Sequence, residues 1–289
     1  MKTISQITGG LGNQMFQYAC GKSVANRLGA KFFLDLSWFK IGNRIFMLDA
    51  FPNIRQSLKN NKHNSLWQPS IFQKILRRLK INAICYINEP HFSYWPGINN
   101  IKSSTHLSGY WQNENYFSDI TPIIRQQFIF PDFSCLEAEN IAQKIKSSSC
   151  SVSIHIRRGD YVEDTKTNQF HGICTTKYYE KALQTIIEKC DNTPELYIFS
   201  DDPDWIKNNF NTHGYSSVIV DIPEHKNAPY HDMHLMSLCQ HHIIANSSFS
   251  WWGAWLSGGD GMVIAPRYWF ADETMRHYNP SLTSWVTIE

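Results

Sequence analysis

From residue 151 to residue 266, short apolar runs alternate with stretches of helical spacing, and that alternation leaves the chain few folds to choose from. Strands are expected over 151–157, 195–200, 217–221, 242–245 and 262–266, with helices over about 176–190 and from about Pro203, Asp232 and Ser248. Strands separated by helices cannot pair as hairpins. They pair in parallel and bury both faces of their sheet under the helices. Residues 3 to 36 repeat the pattern, with a strand over Thr3–Thr8, a helix-like run Met15–Leu28 stopped by Gly29, and a strand over Lys31–Leu36.

The expected class is therefore α/β, with two Rossmann-like domains, 1–145 and 146–289, facing one another across a cleft. Between about 40 and 130 the pattern weakens into turns rich in Asn, Ser and Pro. Lys and Arg number 27 against 25 Asp and Glu, and a net charge of +2 argues against a nucleic-acid partner. No apolar run is long enough to span a membrane, and Met1–Ile7 lacks a hydrophobic signal core, so a cytoplasmic protein is expected. The run Ile71–Lys80 has apolar helical spacing with a basic opposite face. It reads as a solvated helix or as a peripheral contact with the inner membrane. Seven cysteines without a C-x-x-C pair indicate reduced thiols rather than disulfides or zinc. His231-Asp232-Met233-His234 and His241-His242 match no familiar ligand spacing, so no metal is expected.

Ligands of open α/β sheets bind beyond the carboxyl ends of the strands. The 151–157 strand ends in Arg157-Arg158-Gly159-Asp160, two guanidiniums suited to a phosphate dianion or to ordinary surface ion pairs. The 242–245 strand runs into Asn246-Ser247-Ser248-Phe249, which reads as a helix-start anion site or as a plain N-cap. After the first strand, Gly9-Gly10-Leu11-Gly12-Asn13-Gln14 lacks the third glycine of a dinucleotide fingerprint. That loop reads as backbone drawn close to a ligand at Gly10 and Gly12, with the Asn13 and Gln14 amides offered to it. Asp202-Pro203-Asp204 matches a D-x-D metal–diphosphate pattern, while Pro203 at the first helical position makes Asp202 an N-cap. Asp232 stands in a first helical turn, as a dipole stabiliser or as the acceptor for a guanine edge.

Taken together, His155–Tyr161, Gly9–Ala19 and Asn246–Trp255 resemble glycosyltransferase family 11, the bacterial α1,2-fucosyltransferases, over residues 4 to about 270. The resemblance implies a GT-B-type fold, GDP-β-L-fucose as donor, a galactose-terminated surface glycan such as an O-antigen as acceptor, and inversion to an α1,2 linkage. It also implies no cofactor and no obligatory metal. By the same resemblance Arg157 contacts the β-phosphate, His155 and Asp232 the guanine, and Ser247, Ser248 and Phe249 the diphosphate and base. Asn13 reaches the reacting sugar, and Arg158 binds the donor or organises its loop through Asp160. Asp160 is the nearest candidate for the general base, with Glu163 and Asp164 just beyond. Its other reading is a brace for an arginine. Two alternatives stay open: a transferase for another GDP-sugar, and a non-catalytic carbohydrate- or nucleotide-binding module.

Overall fold

The computed structural model describes residues 1–41, 44–60, 84–158 and 172–289. They form two compact units, Met1–Pro131 and Asp132–Glu289, each built on a parallel sheet. In the first, β1 (Lys2–Gln6), β2 (Lys31–Asp35), β3 (Cys85–Asn88) and β4 (Thr105–Ser108) lie in the order β2-β1-β4-β3. β3 and β4 have no counterpart in the expected elements, because they fall in the weakly patterned 40–130 stretch without the flanking helical spacing that marks the later strands. Helix α1 (Leu11–Arg27) begins ahead of the expected Met15. Gly10 is its N-cap, and the Gly10 carbonyl accepts the first helical hydrogen bond from the Gln14 N–H at 3.0 Å. Helices α2 (Pro52–Asn60) and α3 (Thr121–Gln127) follow.

The second unit opens with α4 (Leu136–Ser147) and continues through β5 (Ser151–Ile156), α5 (Thr176–Ile187), β6 (Glu195–Ser200), α6 (Pro203–Asn209) and β7 (Ser217–Val220). Then come α7 (Tyr230–Leu238), β8 (His241–Ile243), α8 (Ser248–Ser257), β9 (Val263–Pro266) and β10 (Val286–Ile288). The sheet order is β10-β9-β8-β5-β6-β7, all parallel, as the alternation requires. The chain starts in the middle at β5, adds β6 and β7 on one side, and crosses back to lay β8, β9 and β10 on the other. That is the doubly wound order, with its switch point between β5 and β8, and sheets of this order bind ligands beyond the carboxyl ends of the strands there.

Strand alternation decides which side chains meet which helix. Val152, Ile154 and Ile156 pack against Tyr178, Tyr179, Ala182, Leu183 and Ile186 of α5. On the other face Tyr197 and Phe199 meet Ala138, Ile141 and Ala142 of α4 and Leu235 and Met236 of α7, so α4 belongs to the second unit. α8 approaches α7 at Gly253, where a Cβ would come within 3.0 Å of the Met236 Cβ. Trp251 and Trp252 of α8 are fully buried, so this aromatic run is core rather than a stacking platform for a ligand. Among the described residues no helix is long and apolar enough to cross a membrane, and Ile71–Lys80 lies outside them. All seven cysteines are free.

Candidate functional site

At the switch point, β5 delivers Arg157 and Arg158, and β8 runs through Ala245 and Asn246 into α8. The two strand ends are adjacent, because the His155 ring on β5 lies 5.7 Å from the Phe249 ring in the first turn of α8. Asp201, at the end of the neighbouring β6, positions both arginines. Its Oδ1 accepts the Arg158 backbone N–H at 2.8 Å, and its Oδ2 faces the Arg157 Nε at 3.3 Å. One carboxylate thus fixes the turn and orients the guanidinium at its tip.

Arg158 has a different occupation. Its guanidinium lies over Trp205, 3.8 Å from the ring centroid, and its Nε faces Asp202 Oδ2 at 3.4 Å. Asp202 in turn caps α6, accepting the Trp205 N–H at 3.1 Å, as its place before Pro203 suggests. Asp204 pairs with Lys207 at 3.1 Å, so the two carboxylates of the D-x-D pattern serve different cations. Arg158 therefore organises the β5 exit, through Asp202 and Trp205. Asp160, Glu163 and Asp164 lie outside the described residues.

The start of α8 is the second arm. The Ser247 side chain caps the helix by accepting the Phe249 N–H at 3.3 Å, and the aligned peptide dipoles put partial positive charge at Ser248 and Phe249. Asn246 is buried and works inside the fold. Its Nδ2 donates to the carbonyls of Gly172 at 3.2 Å and Trp269 at 3.3 Å, tying down the approach to the helix.

His155 is buried, and among the described residues its Nδ1 has no hydrogen-bond partner. Burial, then the nearby Arg157 charge, lower its pKa to about 4, against a raising pull from Asp201. It is neutral at pH 7, two residues ahead of Arg157 in the chain. Asp232, in the first turn of α7, accepts a hydrogen bond from Nδ1 of the buried His225. His225 and Asp201 escaped the sequence reading. Asp201 stands just ahead of the Asp202-Pro203-Asp204 pattern, and nothing in the irregular Pro223–Asn227 turn announces a histidine partner for Asp232.

Buried neutral histidines make the fold acid-sensitive. Burial takes His155 down to about 4, and burial, then His241, takes His242 down to about 3. An unfolded histidine titrates near ~6.5, so the unfolded chain binds more protons below that pH, and stability falls as pH drops from ~6.5 toward ~4. Each such histidine contributes on the order of 3 kcal/mol to that loss. The urea midpoint is accordingly expected to be clearly lower at pH 5 than at pH 7. Equal midpoints would contradict the buried neutral state.

In the first unit, the Gly-rich segment lies at the carboxyl end of β1, whose neighbour across the switch point is β4. Gly9, with φ +74°, is the glycine the turn requires. Gly10 is a helix cap at which a Cβ would meet nothing within 4 Å, and Gly12 sits in the first turn of α1. Gln14 is not available to a ligand as expected. Fully buried, its amide donates to the carbonyls of Gly9 and Ile45, both at 2.9 Å, and accepts the Met47 N–H at 2.9 Å. It is a clamp on the 45–47 segment. Asn13 Oδ1 accepts from Gln112 Nε2 at 2.7 Å. Gln112 follows Trp111, whose φ of +55° is held by Glu89, which accepts the N–H groups of Tyr110 at 2.6 Å and Trp111 at 2.9 Å.

The family model for glycosyl transferase family 11 matches residues 2–289. The chain belongs to that family. An alpha-1,2-colitosyltransferase from Escherichia coli is 36% identical over 99% of this chain and 98% of its own length. The O-antigen biosynthesis glycosyltransferase WbnK, also from Escherichia coli, is 33% identical over 98% of this chain and 99% of its own length. The human galactoside alpha-(1,2)-fucosyltransferase 1 is 24% identical over 63% of this chain and 52% of its own length. As a family 11 glycosyltransferase the chain is an enzyme, and the non-catalytic binding module is set aside.

Proposed function

We propose that this family 11 enzyme moves L-fucose from GDP-β-L-fucose to the 2-hydroxyl of a galactoside in a surface glycan, with inversion to an α1,2 linkage. The observation that carries it is the meeting of Arg157 and the Ser247-capped start of α8 at one switch point. A guanidinium fork and a helix N-terminus are together suited to the charge that develops on a departing diphosphate. In this reading those groups supply the neutralising charge without a metal or cofactor, so turnover is expected to survive excess EDTA. His155 and Asp232 take the guanine, and Asp160, which follows Arg157-Arg158-Gly159 in the sequence, is the candidate base for the acceptor hydroxyl proton. The names of the relatives support an α1,2 linkage and an O-antigen type of acceptor. We place the reaction in the cytoplasm, with at most peripheral membrane contact.

The 36% identical relative favours a second reading, with colitose as the donor sugar. Incubation with GDP-L-fucose and GDP-colitose over a panel of β-galactosides, with the linkage assigned by NMR, decides between them. Fucosyl transfer to O2 is the expected product. Exclusive colitosyl transfer, or transfer to another hydroxyl, overturns the first reading.

Asp232→Asn tests the base contact. The substitution replaces one acceptor oxygen by a donor facing guanine N–H groups. GDP affinity is expected to fall about 10- to 100-fold, with ADP affinity little changed. Calorimetric titration of both nucleotides checks it, and an equal loss for the two would remove Asp232 from base recognition.

A further inference from the structure

At the amino ends of the central strands β5 and β8, away from Arg157, three residues outside the candidate site come together. Cys150 precedes β5, Cys190 follows α5 and His241 opens β8, and their ligand-type atoms all lie within 4.8 Å of one another. Cys150 is buried, and the other two are half-buried. Met262 donates its N–H to His241 Nδ1 at 3.0 Å, so Nδ1 is an acceptor and the ring proton sits on Nε2. Nε2 stands 3.3 Å from Cys190 Sγ and directs that proton at the sulfur. Burial, then a hydrogen bond with Cys190, push the Cys150 thiol up to about 12, so Cys150 keeps its proton and presents it to the same sulfur. Two donors thus converge on one sulfur, and a thiolate attacking from there would keep both hydrogen bonds. A zinc ion on these atoms would need an unprotonated Nε2 and a proton on Nδ1, facing the Met262 N–H. The Met262 hydrogen bond therefore favours thiol chemistry over metal ligation.

We propose that Cys190 is a site of thiol–disulfide exchange, with Cys150 as its resolving thiol and a small-molecule disulfide such as oxidised glutathione as the oxidant. The Cys190 thiolate attacks one sulfur of the disulfide, forming a mixed disulfide and releasing one glutathione thiolate. With the Cys190 charge gone, the Cys150 proton passes to that thiolate. Cys150 Sγ then attacks Cys190 Sγ, closing the Cys150–Cys190 bond and expelling the second glutathione. The second glutathione leaves as a thiolate and takes up from solvent the proton that Cys190 released on ionising, so two protein thiols are oxidised and one disulfide is reduced to two thiols. The cross-link joins the chain entering β5 to the chain leaving α5, at the far end of the sheet from Arg157, and leaves GDP affinity unchanged.

Peptide mapping of the full-length protein in a glutathione redox buffer, with free thiols alkylated at quench, tests the proposal. A Cys150–Cys190 linked peptide is expected in the wild type, and glutathione on Cys190 in Cys150→Ser. Alkylation of Cys190 is expected to be about 5-fold slower in His241→Leu and near wild type in His241→Gln, whose amide N–H replaces the ring donor. Exposed Cys85 is the internal reference. A wild-type map with no linked peptide, in which Cys190 oxidises no faster than Cys85, overturns the proposal without relying on any variant. Stoichiometric zinc retained through gel filtration and released by alkylating Cys190 also overturns it, since the cluster would then be a metal site.

Discussion

Arg157→Ala is expected to lower turnover by about 10²–10³ while leaving the protein folded. The guanidinium is held by Asp201 at the tip of β5, beside the amide-lined start of α8, where the leaving diphosphate gathers charge in the proposed reaction. A donor fixed there before reaction costs no reorganisation when the charge appears. Stability should barely move, because the side chains of the Arg157–Asp201 pair are 26% and 28% exposed and such pairs contribute about 0–1 kcal/mol. Arg157→Lys keeps the charge but loses the two-pronged geometry, so it should recover only part of the rate. Turnover with saturating donor, measured beside a melting curve, checks both. Near-wild-type turnover by a folded Arg157→Ala would remove this residue from the mechanism.

Trp251→Ala should do the reverse, costing stability rather than chemistry. Trp251 is fully buried among Trp252, Trp255 and Trp285, and its Nε1 donates to the Pro280 carbonyl at 2.9 Å. Truncation removes the indole, opens a cavity and leaves that carbonyl without its donor. Such a change costs roughly 3–5 kcal/mol, a large share of the 5–15 kcal/mol that usually holds a domain together. The melting temperature should fall by about 10 °C, and any protein still folded at low temperature should bind GDP normally. A shift of less than about 2 °C would contradict the burial of this helix face.

The candidate site was legible in the sequence where polar residues stand at the ends of apolar strands. Arg157 and Ser247 break such runs, and the structure places both at the switch point of the sheet. The parallel order was legible for the same reason, since each strand is followed by a helix. What escaped depends on contacts distant in sequence. Gln14 looked like a ligand-facing amide because it follows a glycine-rich turn. α1 begins at Leu11 instead, and the side chain turns inward to Ile45 and Met47. The partnership of Asp232 with His225 follows from packing α7 beside an irregular turn, which no periodicity records. Spacing alone does not say whether the aromatic run from Phe249 to Trp255 stacks on a ligand or packs, and burial decides it for packing at Trp251, Trp252 and Trp255.

A crystal structure of the full chain with GDP tests the central claim most directly. The β-phosphate is expected within hydrogen-bond distance of the Arg157 guanidinium and of backbone N–H groups at the start of α8. Density for GDP elsewhere, with both of those groups bare, would contradict the account.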